Sequence, residues 1–250
     1  MIRDVLLSNL PPDVAVSDVC IGLRLVMVTL ADGRCGMAST LPFGSKQPHG
    51  HERIEQAGEL HTLSAHELAR MACSEIGPAV SVGWAALNAL MTPTDQTEWI
   101  DLNAHDWLRA HGQGKRVALV GHFPFVESLR EAITTLWVLE LEPGPGDLPA
   151  AAAPEIIPQA DIVALTGQTL INGAFDGLAA LWRSDALVAL IGPSTPLSPM
   201  LFEAGVDVLA GTLVVDADAV RRGVNQAASY QQITGTRRVA LAVDGLLQTL

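Results

Sequence analysis

The 250-residue chain has no excess of basic residues. It carries 15 lysine and arginine residues against 27 aspartate and glutamate residues, for a formal net charge of −12. Nucleic acids and anionic membrane surfaces attract basic proteins, so this balance argues against both as partners. No apolar run reaches the roughly 18 residues that a membrane-spanning helix needs, and the first residues show no signal-peptide core. We therefore expect a cytoplasmic protein whose partner is a small molecule.

Cysteine and the usual signature motifs are also scarce. The three cysteines, Cys20, Cys35 and Cys73, form no CxxC pair, so we expect free buried thiols rather than disulfides. The chain has no HExxH or EF-hand pattern of a closed metal site and no GxSxG nucleophile elbow. The common motifs of metalloproteases, calcium sensors and serine hydrolases therefore give no support to those functions.

The second half of the chain does contain a series of short apolar runs. They lie at residues 116–124, 137–146, 161–169, 186–195 and 206–216. Segments with helical spacing separate the later runs, which is typical of parallel strands that are covered on both faces. We therefore expect an α/β fold with a Rossmann-like, mainly parallel sheet flanked by helices, and a ligand site where the strand ends meet. A further candidate strand, residues 235–245, returns either parallel or antiparallel.

The first half of the chain has a different pattern. Apolar runs at residues 16–30 and 34–40 flank Ala31-Asp32-Gly33. An Asp-Gly pair between β-rich runs is a strong hairpin signal. This part of the chain therefore predicts a β-hairpin, preceded by a helix over residues 1–10.

Two further helices are predicted over residues 63–74 and 78–91. The first opens with the serine and glutamate of a capping box, and the second has proline in its first turn. The glycine-rich segment 111–115 then separates the halves of the chain. We predict a small α+β domain with a hairpin and helices over residues 1–112, and the Rossmann-like domain over residues 113–250.

The turn after the first parallel run invites comparison with a dinucleotide site. Gly121 opens the turn and Glu142 follows about 20 residues later, where an acid can hold a ribose hydroxyl. However, the turn lacks the second and third glycines of the GxGxxG fingerprint, and His122 and Phe123 put bulk where a pyrophosphate needs close backbone approach. A ligand without a pyrophosphate, such as an adenosyl group, remains compatible with this turn.

Small and polar residues follow the third and fourth parallel runs. They are Thr166, Gly167, Thr169, Asn172, Gly192, Pro193, Ser194 and Thr195. Such residues cap the helices that begin there, or they hold a carboxylate or phosphate, because helix N-termini attract anions. Both interpretations remain open for these turns.

Histidines supply the candidate metal ligands. His49 and His51 form an HxH pattern in a polar segment, with His61 and His66 nearby. Imidazoles at this density bind transition metals, or they simply belong to a polar surface loop. His122 and Glu142 are the other pair for which we predict a metal-facing or proton-transfer role.

Two blocks of sequence carry a family resemblance. PQADIVALTGQTLINGAFDGL (158–178) and LIGPSTPLSPMLFEAGVDVLAGTLVVD (190–216) resemble the family described as "putative heavy-metal chelation", and the hairpin ending in GMAST with the helices after it is similar too. The resemblance implies a Rossmann-like C-terminal domain, and a first domain like the N-terminal domain of enolase. It also implies a ligand or metal complex in the cleft between them.

The predicted site is therefore this interdomain cleft. We expect it to be lined by Gly121, His122, Phe123, Glu142 and the eight turn residues named above, with Thr40 and Asn88 from the first domain. The expected ligand is a transition metal ion in a metal–chelator complex, or a small anion. Two alternatives stay open, an enzyme that uses an adenosyl cofactor or nucleotide and a non-catalytic oligomeric binding protein such as a homodimer.

Overall fold

The computed structural model describes residues 1–44, 53–92, 99–243 and 246. Its first unit contains α1 (Ile2–Ser8), β1 (Val16–Ile21), β2 (Leu25–Leu30), β3 (Cys35–Ser39), α2 (Ala65–Arg70) and α3 (Gly77–Leu90). The three strands form an antiparallel sheet in the order β1-β2-β3. The predicted hairpin is confirmed as β2 and β3, which Gly33 joins with a φ of +90°.

The apolar run at residues 16–30 is not one strand, as the sequence suggested, but two. The chain reverses at Gly22, whose N–H donates to the carbonyl of Leu25 at 2.9 Å. A side chain at Gly22 would collide with the backbone oxygen of Val224, so a glycine is needed where this turn meets the second unit. Apolar residues continue on both sides of this turn, so hydrophobicity alone does not reveal it.

The helix signals of the first unit are confirmed. Ser64 Oγ accepts from the N–H of Glu67, and the Glu67 carboxylate accepts from the N–H of Ser64 at 2.7 Å, which completes the capping box of α2. Nearly every residue of α3 is buried. Gly36 on β3 lets this helix approach, since any Cβ there would collide with the α3 backbone at Ala85 and Ala89.

The second unit is built around an eight-stranded sheet. Its strands are β4 (Ile100–Asp101), β5 (Arg116–Val120), β6 (Thr135–Glu140), β7 (Leu148–Pro149), β8 (Ile162–Thr166), β9 (Leu187–Ile191), β10 (Val208–Val214) and β11 (Thr236–Ala242). Its helices are α4 (Ala104–His111), α5 (Val126–Ala132), α6 (Ala153–Ile156), α7 (Gln168–Ile171), α8 (Phe175–Ala179), α9 (Met200–Glu203) and α10 (Ala217–Asn225). Short 3₁₀ turns lie at Leu60–Thr62, Met71–Cys73, Ala150–Ala152, Ile157–Gln159 and Tyr230–Gln232.

The strand order β4-β11-β10-β9-β8-β5-β6-β7 confirms the Rossmann-like prediction. Strands β5 to β10 are parallel, and β11 pairs antiparallel with β10, which settles the direction of the last predicted strand. The chain runs from β5 outward to β6 and β7, then returns to the other side of β5 with β8. Strand order therefore reverses between β5 and β8, and open α/β sheets bind ligands at such a point.

Strand β4 and helix α4 precede the predicted boundary after residue 112 and pack with the second unit. Strand β4 pairs with β11, and Trp107 and Leu108 of α4 share a core with Leu129 of α5. The sequence of a short amphipathic helix shows which of its faces is apolar but not which element will cover that face.

A shared hydrophobic core joins the two units. Trp84 and Leu87 of α3 belong to the same buried cluster as Leu165 and Leu190 of the large sheet. The three cysteines are free, as predicted, but Cys73 is exposed, whereas burial raises the pKa of the Cys20 and Cys35 thiols. Among the described helices, none combines the length and the apolar character required to cross a membrane.

Candidate functional site

A cavity of about 460 Å³ opens at the carboxyl ends of β5, β6 and β8. We call it the His122 cavity. Its lining consists of Val120, Gly121, His122, Phe123, Leu139, Glu140, Leu141, Ala150, Ala151, Ala153, Pro154, Thr166, Gln168, Thr169, Asn172, Ala174, Gly177, Leu178 and Leu181. Most of these side chains are apolar, and the polar ones gather along the strand ends.

The turn after β5 requires glycine at position 121. Its φ is +106°, a left-handed value that side chains disfavour, and its N–H donates to the carbonyl of Leu139 at 2.9 Å. A Cβ there would also lie 2.9 Å from Cγ2 of Thr166 across the point where strand order reverses. The tight turn places His122 and Phe123 directly over the ends of the strands.

The acid at the end of the second parallel strand is Glu140, whereas the sequence suggested Glu142 for that position. Its Oε2 accepts from the N–H of His122 and its Oε1 from the N–H of Leu141, both at 2.7 Å. Glu142 is exposed and lies outside the cavity lining. Strand β6 ends at Glu140, two residues before Glu142, so Glu140 is the acid that lines the cavity.

A buried carboxylate orients the imidazole of His122. The side chain of Asp147 is 1% exposed, and its Oδ2 lies 2.8 Å from Nδ1 of His122. Arg130 donates to Oδ1 of Asp147 at 2.8 Å, and the N–H of Gly144 donates to Oδ2 at 3.1 Å.

These contacts fix which ring nitrogen carries the proton. Burial alone would raise the pKa of Asp147, but the hydrogen bonds from His122 and Gly144 and the nearby charges outweigh burial and lower that pKa. An ionised Asp147 only accepts hydrogen bonds, so Nδ1 of His122 donates. The lone pair of the neutral ring is then on Nε2, which is the arrangement typical of a metal-binding or proton-accepting histidine.

Ser194 and Asn88, two of the residues predicted to line the cleft, lie outside the His122 cavity and form hydrogen bonds between the units. Ser194 Oγ accepts from the N–H of Ser39 at 2.9 Å and lies 3.2 Å from the Ser39 hydroxyl. Asn88 Nδ2 donates to the carbonyls of Met37 at 2.6 Å and Pro193 at 3.5 Å. Both side chains link the two units, Ser194 through the backbone N–H of Ser39 and Asn88 through the carbonyl of Pro193.

Thr40 and Thr195 likewise lie outside the lining of the His122 cavity. The Thr40 hydroxyl donates to the carbonyl of Gly22 at 2.8 Å. Thr195 is buried, its hydroxyl has no hydrogen-bond partner within the described chain, and it packs closely against Gly167. A larger residue at position 167 would therefore collide with the turn after β9.

Three of the predicted turn residues, Thr166, Thr169 and Asn172, line the His122 cavity, and the last two also form local hydrogen bonds. The Thr169 hydroxyl donates to the carbonyl of Thr166 at 2.8 Å, and Asn172 Oδ1 accepts from the N–H of Ala174 at 3.0 Å. Both the structural and the ligand-binding interpretations of these two residues therefore stay open.

The histidine-rich segment is only partly described. His49 and His51 lie outside the described residues. His61 is exposed, and Nε2 of His66 lies 2.7 Å from the carbonyl of Pro11. Within residues 1–44, 53–92 and 99–243, no group of three or more histidine, cysteine, aspartate or glutamate side chains is arranged to hold a metal ion.

A second cavity, of about 400 Å³, lies on the other side of the point where strand order reverses. We call it the Phe125 cavity. Its lining consists of Leu102, Asn103, Ala104, His105, Phe123, Pro124, Phe125, Thr166, Ile191, Gly192, Pro193, Ala210, Gly211, Tyr230, Gln231 and Arg238. It shares Phe123 and Thr166 with the His122 cavity.

Sequence reasoning missed several residues that build this edge of the sheet. Glu140 and Glu142 are two residues apart, and the sequence alone does not show at which of them strand β6 ends. Asp147 lies in a glycine- and proline-rich turn and gives no signal before folding brings it to His122. Ala150, Ala151 and Ala153 also line the cavity, and small apolar side chains of this kind carry no functional signal in the sequence.

Comparisons with known proteins agree with this architecture. A model of the family described as "Putative heavy-metal chelation" matches residues 103–243, and a second model with the same description matches residues 3–91. A 144-residue alignment with an uncharacterized protein of Methanocaldococcus jannaschii is 28% identical and covers 55% of this chain. It covers 56% of that protein, so this chain matches little more than half the length of the relative.

Two solved structures share the whole fold. A protein of unknown function from the DUF364 family of Desulfitobacterium hafniense is 27% identical, with a TM-score of 0.83, and the match covers 97% of this chain and 98% of that one. A DUF364 protein of unknown function from Pyrococcus horikoshii is 20% identical, with a TM-score of 0.78 and the same coverage. The second likeness shows the fold alone.

Proposed function

Because the chain belongs to the family described as "Putative heavy-metal chelation", we propose that its His122 cavity binds a small organic molecule that carries a metal ion. In this proposal the metal is cargo held by a chelator, and His122 Nε2 supplies one donor from the protein. The remaining donors belong to the chelator. A small anionic ligand held at the same strand ends is the simpler form of the same proposal.

The observation that carries the proposal is the hydrogen bond between His122 Nδ1 and Asp147 Oδ2, at 2.8 Å. Histidines that bind metals commonly donate their other ring N–H to a carboxylate, which sets the tautomer and raises the basicity of the ligating nitrogen. Arg130 and Gly144 hold the carboxylate in turn, so the imidazole is oriented before any ligand arrives.

The walls of the cavity suit an organic ligand better than a bare ion. Leu139, Leu178 and Leu181 provide apolar surface, with alanines opposite them. Pockets for small molecules are mostly apolar and carry a few placed polar groups that set orientation. Here those groups are the imidazole of His122 and the carboxylate of Glu140.

The test uses the nickel(II)–nitrilotriacetate complex as a probe, because its chelator leaves coordination positions that an imidazole can fill. Paramagnetic nickel broadens nearby NMR signals, so the methyl signals of Ala151 and Leu178 report a complex in this cavity. We expect broadening in the untagged wild-type protein and its loss in His122→Gln. Equal broadening in both proteins would contradict the role of the imidazole.

Two controls separate this site from the other histidines. The double variant His49→Gln/His51→Gln removes the HxH pattern, and His66→Gln removes an imidazole that is bonded to Pro11. Both should keep the broadening of the cavity methyl groups. If only the HxH variant loses it, the metal-binding histidines are in that segment instead.

A second candidate function is binding of an adenosyl cofactor or nucleoside. Glu140 ends the second strand of a Rossmann-like order, the position from which an acid holds ribose hydroxyls in dinucleotide enzymes. Both of its oxygens already accept one backbone N–H and keep a further lone pair.

This alternative predicts a ligand-dependent rise in melting temperature. S-adenosylmethionine or adenosine at about 1 mM should stabilise the native state if either binds with a lower dissociation constant. Glu140→Gln should remove the shift while Glu142→Gln keeps it. The absence of a shift with the wild-type protein would count against the alternative and leave the chelator proposal untouched.

A further inference from the structure

The Phe125 cavity differs in chemistry from the His122 cavity although the two share a wall. The rings of Phe123 and Phe125 are nearly parallel, with an angle of 11° between planes and 5.2 Å between centroids. Tyr230, the single tyrosine of the chain, adds a third ring to the lining. Aromatic faces of this kind favour flat, conjugated ligands over saturated ones.

The tyrosine ring is held in place from two sides. Its hydroxyl lies 2.6 Å from the Thr212 hydroxyl, and the guanidinium carbon of Arg238 lies 5.8 Å from its centroid. The ring and the cation are therefore arranged together at the mouth of the cavity before a ligand binds.

Arg238 supplies the positive charge of the Phe125 cavity, and Asp101 and Asp106 lie with it in an adjoining pocket. Its neighbour Arg237 forms an ion pair with Asp101 at 2.6 Å. Across the described part of the chain, Arg238 has no such carboxylate partner, and the cavity lining contains no aspartate or glutamate. The whole protein has a net charge of −12, but the lining of this cavity contains an arginine and no acidic residue, which favours binding of an anion there.

We propose that the Phe125 cavity is a second binding site, for a planar aromatic group that carries a carboxylate or a similar anionic substituent. The flat group lies among Phe123, Phe125 and Tyr230, and its anionic substituent contacts Arg238. The guanidinium fork suits a carboxylate because it donates two parallel hydrogen bonds. The proposal does not depend on a ligand in the His122 cavity.

The test uses three probes of similar size that separate flatness from charge. Salicylate is planar and anionic, salicylamide is planar and neutral, and cyclohexanecarboxylate is anionic but not planar. NMR titrations follow the methyl signals of Ala104 and Ala210 in the Phe125 cavity and of Ala151 in the His122 cavity. We expect salicylate to bind about tenfold more tightly than either other probe, with shifts at Ala104 and Ala210.

Variants at the cavity sharpen this result. Arg238→Gln should weaken salicylate binding about tenfold, which corresponds to about 1.4 kcal/mol, and Phe125→Leu should weaken it by a similar factor. Arg237→Gln is the matched control, since that arginine is already paired, and it should change affinity less than twofold. Tyr230→Phe keeps the ring and should retain binding even if loss of the bond to Thr212 lowers stability.

Several outcomes would overturn the proposal. They are the absence of saturable salicylate binding up to about 10 mM, equal affinity in wild type and Arg238→Gln, or shifts confined to Ala151. His122→Gln should leave salicylate binding unchanged. That variant therefore separates failure of this proposal from failure of the proposal for the His122 cavity.

Discussion

Polar side chains follow strand β9, and others follow strands β5 and β6. The two groups differ in their partners. After β9, Ser194 is 2% exposed and its hydroxyl is bonded to Ser39 of the first unit. After β5, His122 is oriented by Asp147 and lines a cavity. The comparison teaches that a polar residue at a strand end lies either at a junction or at a cavity, depending on whether another unit covers it.

The largest expected effect lies at the junction. Asn88→Asp keeps the shape of a side chain that is 8% exposed but places a carboxylate against the carbonyl of Met37, where an N–H now donates at 2.6 Å. We expect the free energy of unfolding at pH 7 to fall by about 3 kcal/mol, because a buried charge loses its donor.

The loss in Asn88→Asp should shrink at lower pH. The buried carboxyl takes up a proton more readily than in the unfolded chain, so its pKa rises and the protonated form can again donate to the carbonyl. Urea denaturation at pH 7 and pH 5 measures both effects. Asn172→Asp is the control, since its oxygen accepts from Ala174 on an exposed turn, and it should change stability little.

The next effect lies beneath the candidate site. Asp147→Asn should lower the free energy of unfolding at pH 7 by about 2 kcal/mol, because hydrogen bonds between a buried carboxylate and charged groups are lost. The folded pKa of Asp147 is lowered, so its contribution is complete above the unfolded pKa of about 3.9 and disappears as pH falls through the folded value. Wild type and variant should therefore converge in acid.

An exposed pair provides the control for this prediction. His105 and Asp106 form a similar contact at 3.0 Å, but the side chain of Asp106 is 68% exposed. Asp106→Asn should change stability by less than about 0.5 kcal/mol. A comparable loss in both variants would mean that burial of Asp147 is not what stabilises the site.

A smaller effect separates two adjacent hydroxyls at the junction. Ser194→Ala leaves the N–H of Ser39 without its partner and should cost about 1.5 kcal/mol. Thr195→Val removes a buried hydroxyl that has no partner in the described chain and should be neutral or slightly stabilising. Equal losses in the two variants, measured by thermal denaturation, would contradict the assigned hydrogen bonds.

The smallest effect compares two acids in the same pattern. Glu140→Gln replaces an acceptor of two backbone N–H groups and should lower stability by about 1 kcal/mol. Glu142→Gln changes an exposed side chain and should lie within about 0.5 kcal/mol of wild type. A larger loss for Glu142→Gln than for Glu140→Gln would contradict the hydrogen bonds assigned to Glu140.

The architecture of the sheet could be predicted because buried parallel strands leave a strong local pattern. Each of the five apolar runs overlaps one of the strands β5, β6, β8, β9 and β10. The turn at Gly22 could not be predicted, since its reason is the backbone of Val224 in a distant helix. Strand ends and distant partners are decided by packing, which a single sequence does not display.

The site could be predicted only in part. Gly121, His122, Phe123 and Thr166 do meet at one edge, because parallel strands bring their carboxyl ends together. Ser194 and Asn88 are also polar residues at predicted site positions, but they form hydrogen bonds with the backbone of Ser39 and Met37 in β3. Local polarity reveals that a group needs a hydrogen bond and does not reveal which group will supply it.

The outer strands of the large sheet, β4 and β7, contain only two residues each. Long exposed edges offer rows of unpaired backbone groups, so they recruit further chains and lead to aggregation. Here β7 also ends in Pro149, which has no N–H to donate. Neither β4 nor β7 is therefore long enough to serve as a template on which a strand of a second molecule could form a regular ladder.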